Sequence, residues 1–466
     1  MNDQASTYLE RLKIPLSNHW LIAKSGDRFQ SIADRRLTEF KDYHHRTGTP
    51  ANILLAEPEP VAFLATFIAA VISESPVILG NPNWAIAEWQ QVLNRIKPDL
   101  KFGNIPDILD TNNSRSHLPP SSILIPTGGT SGTVKFAVHT WETLAASADG
   151  FRQYFERSQI DSFCVLPLFH VGGLMQFVRS LTSDGRFVLF PWRSLADGNY
   201  PDLDISDFFI SLVPTQLHRL LQHPKTANWL SKFATVLLGG SPPWPELLNQ
   251  TRSHQIRLSP TYGMTETASG VVTLKPEEFL AGNNTTGRTL PHAKVIILDD
   301  SEKPLKSHQN GRISIQSKSL TRGYDTDIDT EQITQLITDD LGYFDDRGYL
   351  TIVGRRGDTI ITGGENVFPA EVEAAILATG LVADVCVAGK RDRDWGEVVT
   401  AVYVPQNRAV SVEMLKNAIG DRLSRYKHPK QWIALKQLPR NDRGKINRKL
   451  LMEQIVTCQS QKIEPN

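Results

Sequence analysis

Through the first three quarters of the chain, short apolar runs alternate with longer helix-like segments, beginning with Ile53 to Leu55, then Pro60 to Ser73, then Val77 to Leu79. A short apolar run beside a segment of helical length is the pattern of βαβ units. Further strands are expected at Ser122 to Ile125, Phe163 to Leu166, Phe187 to Leu189, Phe209 to Val213 and Thr235 to Leu238, most of them followed by Gly, Pro or Ser. Open α/β sheets bind ligands where such strands end. After about Thr285 the texture changes to short, turn-punctuated strands in AKVIILDD, GRISIQS and GYLTIVG, a more β-rich module. Beyond Gly354 the chain has helix candidates of its own at Pro369 to Ala378 and Val412 to Leu423, and strand candidates at Val385 to Ala388 and Thr400 to Val404. The expected fold is therefore α/β. A large N-terminal domain of βαβ sheets plus the β-rich module spans 1–354, and a small C-terminal α/β domain spans 355–466.

Composition narrows the picture without deciding it. The 466 residues, 40% hydrophobic and 21% charged, suffice for two or more domains with sizeable cores. Lys plus Arg and Asp plus Glu both total 50, so net charge offers no argument for a nucleic-acid or anionic-membrane partner. The N-terminal MNDQASTYLERLKIPLSNHW lacks a basic stretch followed by an apolar one, and no later apolar run approaches a bilayer span. The expectation is a cytoplasmic protein without membrane insertion. Cys164, Cys386 and Cys458 lie too far apart in sequence to suggest a disulfide framework or a Cys-x-x-Cys pair.

Four segments carry candidate chemistry. Directly after the apolar ILI and Pro126 comes Thr127-Gly128-Gly129-Thr130-Ser131-Gly132-Thr133-Val134-Lys135. Glycines let backbone N–H groups face a ligand, hydroxyls add donors, and a lysine neutralises phosphate charge. Gly132 is followed by Thr133 and Val134, so neither a Walker A loop nor a Gly-x-Ser-x-Gly hydrolase elbow fits. A plain flexible loop is the alternative. The second segment, Tyr262-Gly263-Met264-Thr265-Glu266-Thr267, follows Leu238-Gly239-Gly240-Ser241. An aromatic ring can stack on adenine, Thr265 can bond a phosphate oxygen, and Glu266 is a hard ligand suited to Mg²⁺. The third is Thr338-Asp339-Asp340-Leu341-Gly342 with Gly354-Arg355-Arg356-Gly357-Asp358, where a carboxylate and an arginine can grip ribose hydroxyls or simply form exposed turns. The fourth is Gly444-Lys445-Ile446-Asn447-Arg448, in which a lysine beside a glycine suits charge that develops transiently on phosphate and carboxylate oxygens.

In this order and over most of the chain, the four segments resemble the acyl-adenylate-forming superfamily of acyl-CoA ligases, luciferases and peptide-synthetase adenylation domains. PLFHVGGL with the following Arg179, LLGGSPP, TYGMTETASGVVTL and TGGENVFPAEVE are similar to the o-succinylbenzoate-CoA ligases of menaquinone and phylloquinone synthesis. The resemblance implies ATP, Mg²⁺ and coenzyme A as cofactors and a carboxylic acid as substrate. It assigns Thr127, Gly128, Thr130, Ser131 and Lys135 to the ATP phosphates. Gly240, Ser241, Thr261, Tyr262 and Gly263 fall to adenine and the acyl-adenylate, Thr265 and Glu266 to catalysis, and Glu266 also to the metal. Asp340 and Arg355 take the ribose, Lys445 bridges the substrate carboxylate and α-phosphate, and His170 lies at the acyl pocket. The small C-terminal domain is implied to rotate about a hinge at Gly357, withdrawing Lys445 and presenting Gly363 and Gly364 to coenzyme A. Two departures stand out: Asp339 replaces the usual glycine of T-G-D, and the hinge position, often acidic or lysine, is Gly357.

A helix expected from Gly172 to about Leu181 puts Leu174, Phe177, Val178 and Leu181 on one face and Arg179 on the opposite side. That side is either plain solvent or the place where a second carboxylate of the substrate is recognised. Rival readings are an aryl or other acyl-CoA ligase of the same mechanism, and a catalytically silent nucleotide-binding homologue. The silent homologue would be expected to have lost Lys445 or Glu266, yet both are present.

Overall fold

The computed structural model describes residues 20–107, 118–127, 134–326, 333–362, 365–392, 395–420, 422–440, 446–447, 450–451 and 453. Their strands form four sheets. The largest has eight strands, in the order Leu21–Ile22, Phe187–Leu189, Asp161–Cys164, Phe208–Leu212, Thr235–Leu238, Leu258–Met264, Ser269–Thr273 and Arg288–Thr289. The first six run parallel to their neighbours and the last two pair antiparallel. A five-stranded sheet has the order Leu100–Gly103, Ile53–Ala56, Val77–Leu79, Ile123–Pro126 and Phe136–His139, parallel except for the last pair. Helical crossovers between parallel strands bury both sheet faces, which explains why these strands read as unbroken apolar runs.

One core cluster joins the two parallel sheets through the helices Pro60–Ile72, Trp141–Tyr154 and Val171–Thr182. Pro60–Ile72 is apolar on every side, with Val61 and the run from Phe63 to Val71 buried. Its entry is set by Pro60 and by Glu59, whose carboxylate accepts from the N–H groups of Val61 and Ala62 at 3.1 and 2.6 Å.

Downstream, the antiparallel sheet Ala293–Leu298, Gly311–Ser317, Leu336–Phe344 and Leu350–Arg355 forms the β-rich module. The last sheet contains Glu365–Val367, Ile360–Thr362, Gly396–Pro405 and Val382–Asp392, with Gln431–Ala434 pairing parallel to Gly396–Pro405. It has its own apolar core, built with the helices Pro369–Leu377 and Val412–Ile419. The α/β architecture expected from the alternation is the one observed.

Three local expectations needed correction. The strand expected at Phe163 to Leu166 runs instead over Asp161–Cys164, because Asp161 pairs with Arg186 of the neighbouring segment, accepting from its backbone N–H at 2.6 Å and its Nε at 2.7 Å. The helix expected to reach Leu423 ends at Ile419, before Gly420. Thr338 to Gly342, which reads in isolation as an exposed turn, lies within Leu336–Phe344, with Asp340 only 7% exposed. Cys164 and Cys386 are buried free thiols, and Cys458 lies outside the described residues. No described helix is long and apolar enough to cross a membrane.

Candidate active site

The site is organised by the antiparallel pair Leu258–Met264 and Ser269–Thr273, at the antiparallel side of the eight-stranded sheet. Their register shifts between Tyr262 and Gly263. A Cβ on Gly263 would lie 2.0 Å from the carbonyl oxygen of Ser269, so the two backbones can approach only with glycine there. The connection is a short 3₁₀ turn, Thr265–Thr267, followed by Ala268 and Ser269 at φ 50° and 94°. A serine in the left-handed region is strained, and such strain persists where surrounding bonds over-determine it. Here Ser147 donates to the Ala268 carbonyl at 2.7 Å, Thr267 Oγ1 to Ser269 O at 2.6 Å, and Ser319 Oγ to Thr267 O at 2.9 Å.

This turn presents Glu266, whose Oε1 accepts from the Tyr324 hydroxyl at 3.0 Å while its backbone carbonyl accepts from Thr321 N at 2.8 Å. Burial and then the adjacent carboxylate push the Tyr324 phenol far above its ordinary pKa, so it stays a donor. The ammonium of Lys135 lies 6.0 Å from the centre of the same ring. Glu266 and Lys135, far apart in sequence, thus share one aromatic neighbour. Thr127 closes the glycine-rich loop at its base, its N–H donating to Lys135 O at 2.8 Å. A hard carboxylate beside a lysine has the chemistry to take a Mg²⁺ that accompanies an anionic ligand. Among the described residues no three His, Cys, Asp or Glu side chains gather into a metal cage.

Thr265 is buried, and its carbonyl accepts from Nε2 of His139 at 2.8 Å. His139 is completely buried; desolvation lowers its pKa to about 4, although the Thr265 bond opposes this. The ring is therefore neutral, with Nδ1 receiving the Thr143 hydroxyl at 2.9 Å.

On the side of the hairpin facing the β-rich sheet, the Tyr262 hydroxyl donates to Asp340 Oδ2 at 2.8 Å and Arg355 Nε donates to Oδ1 at 2.7 Å. Burial opposes the charge of Arg355, yet the attraction of Asp340 prevails and raises its pKa. Thr261 donates to Thr273 Oγ1 at 2.7 Å, while Gly240 and Ser241 are exposed beyond the end of Thr235–Leu238.

His170 caps the helix Val171–Thr182, its carbonyl accepting from Gly173 N and Leu174 N at 3.0 and 2.9 Å. Arg179, two turns further on, does not face solvent: it is 5% exposed, which overturns the plain solvated reading. It donates to Ser269 Oγ at 2.9 Å, and its guanidinium lies 4.0 Å above the Phe151 ring. Among the described residues it has no carboxylate partner and its Nε has no hydrogen bond. Desolvation lowers its pKa to about 9, so it remains charged near neutral pH. His292 lies beside it, lowered to about 4 by burial and then by the charge of Arg179, and neither ring nitrogen finds a hydrogen-bond partner. A Cβ on Gly150 would fall 1.9 Å from His292 Nδ1, so glycine in mid-helix makes room for that imidazole.

The structure thus gathers Thr127, Lys135, Thr265 and Glu266 at one side of the hairpin, Tyr262, Asp340 and Arg355 at another, and Arg179 behind Ser269. Gly128, Thr130, Ser131, Gly363, Gly364 and Lys445 lie outside the described residues. His139, His292, Tyr324 and Asp325 escaped the reading of the sequence. Their partners are distant in the chain, and no local spacing marks them.

A strained turn presenting a carboxylate beside a lysine, with an arginine–carboxylate pair bonded to the same hairpin, has the groups to hold an anionic, hydroxyl-bearing ligand. The chain belongs to the AMP-binding enzyme family, whose pattern matches residues 87–325 and whose C-terminal domain pattern matches residues 371–445. It is an AMP-forming acid–thiol ligase, a class that works with ATP, Mg²⁺ and coenzyme A. A 2-succinylbenzoate–CoA ligase of Bacillus velezensis is 34% identical over 341 residues, 72% of this chain and 69% of the relative. An indoleacetate–CoA ligase of Aromatoleum aromaticum is 29% identical over 412 residues, covering 86% of this chain and 78% of the relative. The o-succinylbenzoate CoA synthetase of Bacillus subtilis, solved with its acyl-adenylate intermediate, superposes with a TM-score of 0.79 at 25% identity, over 95% of this chain and 97% of that one.

Proposed function

We propose that the acid is o-succinylbenzoate, converted to o-succinylbenzoyl-CoA with release of AMP and pyrophosphate, a step of menaquinone or phylloquinone synthesis carried out in the cytoplasm. The observation that carries this reading is Arg179, a buried guanidinium with no carboxylate partner among the described residues. A buried cation left unpaired is costly, and a substrate bearing a second carboxylate supplies the missing partner. The similarity to the 2-succinylbenzoate–CoA ligases supports it.

A carboxylate is a poor acyl donor because oxide would have to leave, so the substrate carboxylate first displaces pyrophosphate at the α-phosphorus of ATP. Two anions meet there. Lys135, the N–H groups and hydroxyls of Thr127, Gly128, Thr130 and Ser131, and Lys445 lower that repulsion. Glu266, fixed by Tyr324, would hold Mg²⁺, and the ion would supply charge neutralisation; Thr265 sits at the same turn. Gly240, Ser241, Thr261, Tyr262 and Gly263 line the adenylate, Asp340 and Arg355 grip the ribose, and His170 borders the acyl carboxylate. In the second step the thiol of coenzyme A adds to the acyl-adenylate carbonyl and AMP leaves. A lysine lying over the carbonyl would obstruct that thiol. The segment from 355 onward accordingly acts as a lid turning about Gly357, which exchanges Lys445 for Gly363 and Gly364. The boundary between 354 and 355 belongs to this proposal.

A pyrophosphate-release panel tests the substrate. o-Succinylbenzoate should exceed benzoate, indoleacetate and a 4-oxo-4-phenylbutanoate lacking the ring carboxylate in kcat/KM by about a hundredfold or more. The similarity to the indoleacetate–CoA ligase favours an aryl-acid ligase as the second reading, and preference for a monocarboxylate would establish it in place of the first.

A further inference from the structure

We propose that Gln91, Arg95 and Asp325 are positioning residues for adenylation: they lock the stem of the glycine-rich loop so that Lys135 is aimed before ATP arrives. The observation is the fate of three successive peptide units. Val134 N donates to the side-chain oxygen of Gln91 at 3.1 Å, and Val134 O accepts from the Arg95 guanidinium. Lys135 O accepts from Thr127 N at 2.8 Å. Phe136 N donates to Asp325 Oδ1 at 2.8 Å, and Phe136 O accepts from Asp325 N at 3.0 Å. Arg95 then closes the ring, its Nη1 lying 3.2 Å from Asp325 Oδ2. Gln91 lies in the last turn of the helix Ile86–Leu93 and Arg95 just beyond its end, where its Nε donates to Gln91 O at 3.3 Å, so the two reach the stem from the same side. A loop held by its stem loses less conformational entropy when it wraps a triphosphate.

The charges explain why an ion pair is used and not a lone acceptor. The Asp325 side chain is fully buried, close to a loop that must receive phosphates. Its carboxyl is pushed up by burial, and the Phe136 N–H, Arg95 and Lys135 act against that push. With Arg95 present, the carboxylate is neutralised from the helix side and Lys135 stays available to the nucleotide. Without Arg95, Lys135 becomes the carboxylate's main countercharge and is drawn away from phosphate. Arg95→Gln should therefore cost more than Asp325→Asn, because asparagine keeps the acceptor for Phe136 N while shedding the charge. The double variant should recover much of the loss.

The nucleotide arm of the test is independent of which acid the enzyme uses. Binding of α,β-methylene-ATP with Mg²⁺ is measured by calorimetry, alongside conversion of supplied o-succinylbenzoyl-adenylate to thioester. Arg95→Gln is expected to weaken analogue binding about tenfold, and Asp325→Asn at most about threefold. The double variant is expected within about threefold of the parent, with the thioester step changed less than about twofold throughout. Unchanged analogue affinity in Arg95→Gln, a double variant worse than Arg95→Gln, or equal losses in both half-reactions would overturn the proposal. Should Arg95→Gln not fold, Gln91→Leu, which removes the acceptor of Val134 N, decides: weaker analogue binding with an intact thioester step supports the role, and unchanged binding refutes it.

Discussion

Asp340 is held from two sides, by the Tyr262 hydroxyl at 2.8 Å and by the Arg355 guanidinium at 2.7 Å, so both carboxylate oxygens are fixed before any sugar is present. This ties the hairpin at Tyr262 to the β-rich sheet. Tyr262→Phe removes one of the two restraints and should raise the KM for ATP about threefold to tenfold with little change in kcat. Asp340→Ala, which removes the carboxylate itself, should cost about a hundredfold in kcat/KM for ATP. ATP–pyrophosphate exchange at varied ATP measures both. Equal effects of the two substitutions would mean that Tyr262, and not Asp340, makes the ribose contact.

Lys445 is expected to serve adenylation alone, since the charge it offsets develops at the α-phosphorus. Lys445→Ala should lower pyrophosphate release about a thousandfold yet leave conversion of supplied acyl-adenylate to thioester within about threefold. Measuring the half-reactions separately decides; matching losses would refute the division of labour.

Arg179→Ala should raise the KM for o-succinylbenzoate about a hundredfold while changing the KM for the analogue without the ring carboxylate less than about threefold. Arg179→Lys should recover only part, because an ammonium cannot make the bidentate pair. His292→Phe provides the companion measurement. Loss of selectivity there as well would place its unpartnered imidazole beside the same carboxylate.

His139 makes stability depend on acidity in a definite direction. Its pKa is about 4 in the folded chain and ordinary, about 6.5, when unfolded, so between these values the unfolded chain binds more protons. The stability held above about pH 6.5 is lost as pH falls toward 4, by up to about 3 kcal/mol. His139→Gln, able to donate to Thr265 O without titrating, should melt with a shallower decline between pH 6.5 and 4.5. An identical pH profile in thermal denaturation would show that the imidazole is not the titrating group.

Gly357 lies in the 3₁₀ turn Arg356–Asp358, is exposed, and a Cβ there would meet nothing within 4 Å. In this arrangement nothing requires glycine, so Gly357→Ala should be tolerated. Gly357→Pro, by restricting the backbone at the proposed hinge, should slow overall turnover about tenfold or more. If thioester formation and adenylation both survive proline, the hinge lies elsewhere.

By itself the sequence determined the α/β class and the order of the glycine-rich loop, the YGMTET segment, the T-D-D-L-G segment and Lys445. These depend on periodicity and on residue types that are local in the chain. Only the tertiary structure decided what those residues touch. Tyr262 reads as an adenine platform, yet its hydroxyl goes to Asp340, 78 residues away. Thr265 rests on a neutral histidine 126 residues earlier, and Glu266 meets Lys135 through the ring of Tyr324. Arg179 is the sharpest case. A helical wheel puts it opposite the apolar stripe, where solvent is the ordinary occupant, but the helix Val171–Thr182 is packed on that side too, against Phe151 and Ser269. Periodicity tells which residues share a face. What covers the face is set by the order in which strands join the sheets, and that order is decided by contacts between segments that no local pattern connects.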